Sequence, residues 1–534
     1  MKISIHVNRI SSFIFTVVCG CLLSTVLSFM SCSTGNLKQE EQLGEIDFKV
    51  TGKAEAQDYF KKGLLLLHSF EYEDAAENFM KARETDPDLV MAYWGEAMTY
   101  NHPLWRYQDK VKADSVLRLL AVTAEERVAK AKTDVEQDFI RAVNILYGAG
   151  DKNVRDDNYA EFMATLFQKY PGHTEVTSFY SLALIGSVEV GRDTIVYGKA
   201  ADIAKIVIAD NPHHPGALHY LIHSYDDPDH AARALDAADA YAKVAPAAGH
   251  ALHMPSHIYL ALGFWDKVVS SNEVAWAASE ERKARKQLDN NALGYHSLHW
   301  LLYGYLQQER MNDAKGILND MQRYCDTLPS PRAREHMILL RSTYLVESGD
   351  WLASPESTSV KADDLNVSIR AMQYFITGMK AYHRNDLPVL AAVIDTLSFE
   401  VAAATKNISE KGGHSCGTVT AAAPNLLDVQ YAAVMQMELA AMQAWAKKDT
   451  TLTDFWFKKA TALENSISYS YGPPTVVKPS NEMFGEWLLL IMKPKEAKLQ
   501  FELALKAAPN RTLSVNGMAA ADAMMNNTAA LVKK

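Results

Sequence analysis

Histidine is the residue whose number and spacing point to chemistry. The chain holds 17 histidines in 534 residues, and eight of them fall between positions 213 and 257: His213, His214, His219, His223, His230, His250, His253 and His257. His219 and His223 are four apart, as are His253 and His257, so on helices each pair shares one face. The second pair follows the first by 34 residues in both members. Neutral imidazole is the commonest metal ligand and suits zinc, copper, iron and nickel. Recurring pairs on helix faces therefore point to a transition metal, zinc or copper foremost. Two other uses stay open at this stage: polar lining for an anionic or aromatic ligand, and structural packing.

The elements that must position these pairs share the same period. Tyr59, Gly63, Leu66, Ala75, Phe79, Ala82 and Pro87 mark one unit, and the chain restarts with Ala92-Tyr93-Trp94-Gly95. Gly485, Leu488, Ala497, Phe501, Ala504 and Pro509 repeat the last six of those spacings at a constant offset of 422. Gly and Pro are otherwise sparse and apolar residues recur at helical spacing. The pattern resembles the tetratricopeptide (TPR) repeat, two antiparallel helices in about 34 residues. Small residues let the two helices approach, and the proline ends the second. The resemblance implies an all-α fold, an α-solenoid over residues 54–534 in which each helix pair buries its apolar face on its neighbours. Its clearest repeats lie at about 56–125, 215–325 and 478–511.

In the TPR family the second, fifth and ninth positions of a unit line the concave groove. Carried onto this chain, His219 and His223 take the fifth and ninth positions of one unit, and His253 and His257 those of the next, with His250 at its second. If Ala314 matches Ala75, His296 and His299 take the second and fifth positions of the following unit, with an insert around Glu280–Asn290. Seven imidazoles are thus expected on one face: His219, His223, His250, His253, His257, His296 and His299. The runs Gly216–Pro228, His250–Ile258 and Tyr471–Pro474 resemble a His-rich group of bacterial TPR proteins. That resemblance implies the architecture and assigns no reaction.

The same register puts Trp94 and Met98, followed by His102, in the groove of the second unit, and Glu482 and Glu486 in the C-terminal one. Trp94 and Met98 would wall an apolar ligand, with Met98 a soft copper ligand, unless they simply pack the core. Glu482 and Glu486 would serve as acid/base groups or hard ligands, or else form a solvated acidic face. The loop His414-Ser415-Cys416 offers a Cys–His pair and a formal Gly-x-Ser-x-Gly match, but no strand pattern precedes it. The chain has no His-Glu-x-x-His, no Walker-type Gly-Lys-Ser/Thr and no Gly-x-Gly-x-x-Gly after a strand, so nucleotide cofactors lose their usual support.

Composition narrows the partners. With 54 Lys plus Arg against 64 Asp plus Glu, the chain has no basic surplus for a phosphate backbone, and nucleic acid is not an expected partner. At 48% hydrophobic and 22% charged it is a folded protein, not a disordered one. Lys2 and Arg9, the apolar run Phe13–Phe29 and then Met30-Ser31-Cys32 describe a secretory leader over residues 1–31. The position of Cys32 resembles a bacterial lipobox, which implies lipidation of Cys32, a membrane anchor and an extracytoplasmic site of action. Residues 32–53 read as a polar tether, and Cys325 and Cys416 are the cysteines left beyond Cys32. The reading is a lipid-anchored TPR protein with a histidine-lined groove for a transition metal, used in capture or metal-dependent catalysis. The alternative is a non-enzymatic scaffold that holds a peptide or partner protein in that groove.

Overall fold

A computed structural model describes residues 42–352, 360–411 and 424–532. The leader, Cys32 and the loop His414–Cys416 lie outside the described residues. Among the described residues the chain is helical throughout, apart from the two-residue strands Asn101–His102 and Tyr107–Gln108. Ala54–His68 and Tyr72–Thr85 form the first hairpin, and Val90–Met98 opens the second.

The repeat spacing works as a packing rule. Phe79 is fully buried between Gly63 on its own hairpin and Gly95 on the next. A Cβ at Gly63 would lie 2.9 Å from the Phe79 ring, and one at Gly95 only 2.3 Å. Phe501 sits in the same way between Gly485 and Gly517, at 2.9 and 2.4 Å. In these two hairpins one aromatic ring on the second helix thus needs glycine on two consecutive first helices. The turns repeat as well. Phe70, Gly263, Glu309, Asn385, Lys448 and Met492 all have positive φ, between 56° and 69°, each midway between the two helices of a hairpin. Asn385 and Lys448 show that hairpins continue where the sequence pattern is faint.

Three features depart from the regular array. The first helix of the second unit stops at Met98, and a short strand hairpin intervenes before Lys110–Leu120. The insert expected around Glu280–Asn290 is mostly taken up by lengthening one helix, Trp265–Lys286. Residues 42–53, expected as a polar tether, are instead packed on the array. Leu43, Ile46 and Val50 are buried, the Glu45 N–H donates to the His213 carbonyl at 2.9 Å, and the Ala247 N–H donates to the Gln42 carbonyl at 3.1 Å. Phe48 adds ring contacts to Phe60, Phe139 and His173, so four apolar side chains dock this segment.

The array curls until distant repeats touch. The acidic helix Tyr72–Thr85 meets the basic end of Trp265–Lys286, with Lys286 Nζ donating to Asp74 and Glu77 at 2.8 Å each. At the other end the Trp265 indole N–H donates to the Asn510 carbonyl at 2.9 Å. Between Thr450–Glu464 and Ser480–Leu490 the chain runs back to the inner face, where Ser468 Oγ accepts the Arg192 N–H at 2.9 Å.

Candidate metal centre

Three short helices carry His219, His223, His250, His253 and His257. Pro215 occupies the first turn of Pro215–Ser224, and His214 Nδ1 caps it by accepting the Ala217 N–H at 3.1 Å. This fixes the helix so that His219 and His223 face inward and are buried. In the next unit Pro255 breaks the helix between Gly249–His253 and Pro255–Ala261 because it lacks an N–H. His253 and His257 stay side by side across the break, with their Nε2 atoms 3.2 Å apart.

The imidazoles form a continuous ladder. His219 lies 4.9 Å from His223 and 5.0 Å from His250 between ring centroids. His253 lies 5.1 Å from His257 and 4.8 Å from His296. His223 and His257 join the two groups at 5.1 Å. In each of the sets His219/His223/His250 and His253/His257/His296 one ring nitrogen per residue lies within 4.8 Å of the others. Phe70, at 4.2 Å from His219, and Tyr471, at 4.8 Å from His257, cover the ladder. The expected open groove is therefore mostly closed here; His250 is half-buried and His296 alone of the six is exposed.

The outer nitrogens settle the tautomers. Asp226 Oδ2 accepts Nδ1–H from both His223 and His257 at 3.0 Å, and Arg192 pairs with the other carboxylate oxygen. His219 Nδ1–H donates to the His68 carbonyl at 2.8 Å. Asn272 donates its amide to the Val268 carbonyl, so its Oδ1 accepts His253 Nδ1–H at 2.6 Å. Four Nε2 atoms are left as unprotonated lone pairs directed inward. Nε2 of His219, His223 and His250 is buried without any hydrogen-bond partner. A carboxylate or carbonyl behind Nδ1 is how proteins orient metal-binding histidines.

Electrostatics keep the rings in the form that binds metal. Burial lowers the pKa of His219 and His250 well below 6.5, with neighbouring imidazoles adding to it. Burial also lowers His253 to about 3 and His257 to about 4. Burial alone would raise the Asp226 carboxyl, but Arg192 and the two imidazole donors outweigh it and hold the group well below the carboxylate range. Metal ligation requires histidine in this neutral form.

Other expected site residues fall elsewhere. His299 turns out of the ladder and bonds Thr343 Oγ1 through Nε2 at 2.9 Å, while its neighbour Trp300 packs on His257 at 4.5 Å. Trp94 is core, wedged edge-on against Phe139 and Phe179, and Met98 is buried beside it in sequence. His102 stacks on Tyr72 at 3.8 Å, apart from both histidine sets, and burial lowers its pKa to about 4. Glu482 is neither solvated nor free to act as a base. It is fully buried and takes Arg511 in a two-point pair at 2.8 and 3.0 Å, with Lys478 at 3.0 Å and Ser514 at 2.5 Å. Burial opposes its ionisation, but Arg511 and Lys478 bring its pKa to about 2. Glu486 is half-exposed and pairs with Lys478.

A second cluster was not foreseen. His68 Nε2 donates to Glu175 at 2.8 Å and His214 Nε2 to the other Glu175 oxygen at 3.2 Å, all three fully buried. Tyr220 donates its hydroxyl to His68 Nδ1 at 2.9 Å, and the Ala217 N–H occupies His214 Nδ1. Every ring nitrogen is used. Asp226, three residues after His223, was the one orienting group with a readable spacing; Arg192, Asn272, Glu175 and Tyr471 had none.

No family model matches the chain, and no curated protein matches it. Its fold is similar to those of several solved helical-repeat structures. Yeast Tom70 is 10% identical, with 89% of each chain covered and a TM-score of 0.30. Ypp1 is 11% identical over 90% of this chain and 87% of its own, with a TM-score of 0.37. The P58(IPK) TPR domain is 12% identical over 89% and 99%, with a TM-score of 0.21. By its own hairpins, left-handed turns and Gly–Phe–Gly packing, the chain is an all-α array of TPR-like repeats. A histidine ladder lines its inner face.

Proposed function

We propose that this chain is a TPR-like protein that binds a first-row transition metal, zinc or copper, on histidine Nε2 atoms inside the array. The observation that carries this reading is the pair of buried Nε2 lone pairs of His219 and His223 with no donor to meet them, beside the equally unpartnered Nε2 of His250. An unsatisfied buried polar atom costs about 1–3 kcal/mol, and a cation removes that cost for several atoms at once. Three imidazoles on an ion leave a coordination position open, which suits capture and metal-dependent catalysis alike. The leader and Cys32 further support a lipid-anchored, extracytoplasmic protein. The scaffold reading rests on the repeat architecture itself, but Tyr471 of the chain already covers the inner face at the histidines.

Elemental analysis of the full-length protein, purified without chelators or a histidine tag, tests the metal reading. The expected result is bound zinc or copper; a metal-free preparation that takes up neither ion at neutral pH overturns it in favour of a partner-binding scaffold. For the anchor, Cys32→Ser is expected to release the protein from the membrane fraction, and unchanged membrane association refutes the lipidation.

A further inference from the structure

The two histidine sets are copies of each other under the repeat. The first takes the fifth and ninth positions of one unit, His219 and His223, and the second position of the next, His250. The second takes the fifth and ninth positions of that next unit, His253 and His257, and the second position of the unit after it, His296. One ligand pattern is thus built twice, and the series ends where Tyr303 replaces histidine at the ninth position of the following unit. We propose that the array holds two metal ions side by side, one on His219, His223 and His250 and one on His253, His257 and His296. This rests on the metal-binding reading above and specifies its stoichiometry and ligands.

Three observations carry it. First, six imidazoles exceed what one four-coordinate zinc ion accepts, and two sets of three have ligand atoms within 4.8 Å of one another, with His223, Asp226 and His257 meeting the same limit between them. Second, the His253 and His257 Nε2 atoms are 3.2 Å apart although both Nδ1 protons are committed elsewhere, to Asn272 and Asp226. Two facing lone pairs repel unless something positive lies between them. Ligands about 2.0–2.1 Å from a tetrahedral ion stand roughly 3.3 Å apart, which matches this edge. Third, Asp226 accepts one histidine of each set, His223 and His257, through a single oxygen. One buried anion therefore orients both sets and offsets part of the charge that two cations bring. Arg192 holds that carboxylate from behind, its guanidinium paired with Asp226 and Asp227.

The test is a zinc titration of the metal-stripped full-length chain against a chromophoric chelator. The wild type is expected to take two tight equivalents. His250→Ala and His296→Ala remove one ligand from each set at the two least buried positions, and each is expected to take one. A wild type that saturates at one equivalent overturns the paired site, as does a folded single variant that loses all binding or keeps both equivalents. No uptake by the wild type overturns the metal-binding reading itself. Should either variant fail to fold, the wild-type stoichiometry still decides between one ion and two.

Discussion

Two buried histidine clusters sit side by side in this molecule and are built from nearly the same parts. In the His68–Glu175–His214 cluster each ring nitrogen has a protein partner, so donors and acceptors balance. In the ladder the Nδ1 atoms of His219, His223, His253 and His257 are paired while the Nε2 atoms of His219, His223 and His250 are not. The first cluster is closed chemistry that holds repeats together; it ties the helix Ala54–His68 to residues more than a hundred positions away. The second leaves buried ring nitrogens without a protein partner. Residue type does not tell them apart. The unspent lone pairs do.

The contrast can be broken most forcefully at Glu175. Glu175→Ala strands two buried imidazole donors, and its expected cost is about 3–5 kcal/mol of folding stability by chemical denaturation. Zinc uptake by the molecules that remain folded should be unchanged. Loss of uptake with little loss of stability would exchange the roles of the two clusters. Next in size is Asp226→Asn, which keeps the shape but gives the two imidazoles a weaker and only partly accepting partner. About a 10–100-fold loss of zinc affinity is expected from competition titration. An unchanged affinity would mean that Asp226 does not orient ligands.

Acid sharpens the same comparison. Burial lowers the His68 pKa below 6.5 despite Glu175, so the unfolded chain binds a proton that the folded one resists. Glu175 is itself depressed below 4.5, since the two imidazoles outweigh its burial. Both shifts make stability fall as pH drops, from 6.5 downward through His68 and from 4.5 downward through Glu175. Each group contributes a slope of at most about 1.4 kcal/mol per pH unit. Denaturation midpoints of Glu175→Gln should lose the lower part of that slope, and an identical acid profile would contradict the assignment. The smallest effect belongs to Glu486→Gln. This group is half-exposed, so a change within about 1 kcal/mol and unaltered zinc uptake are expected.

Much of the ladder could be read from the 34-residue spacing together with the TPR resemblance, which implies which positions face inward. His219, His223, His250, His253, His257 and His296 meet as that register implies. His299 does not: it bonds Thr343, and Trp300, one residue on, takes the inward place beside His253 and His257. Spacing was silent wherever partners come from distant repeats. Glu175 reaches His68 across 107 residues, and Arg511 reaches Tyr303 across 208. A charge pair such as Glu482 and Glu486 therefore reads as a solvated face until the cations that bury it are in view. Leu43, Ile46, Phe48 and Val50 were too few to signal a docked segment within a polar stretch.

The most direct measurement is the zinc K-edge absorption spectrum of the zinc-loaded full-length protein. The expected spectrum shows nitrogen neighbours at about 2.0–2.1 Å with the outer-shell scattering of imidazole rings, three per ion. That pattern should weaken in His219→Ala and His253→Ala. A spectrum of oxygen ligands without imidazole scattering, or one untouched by either substitution, would contradict metal binding by the ladder.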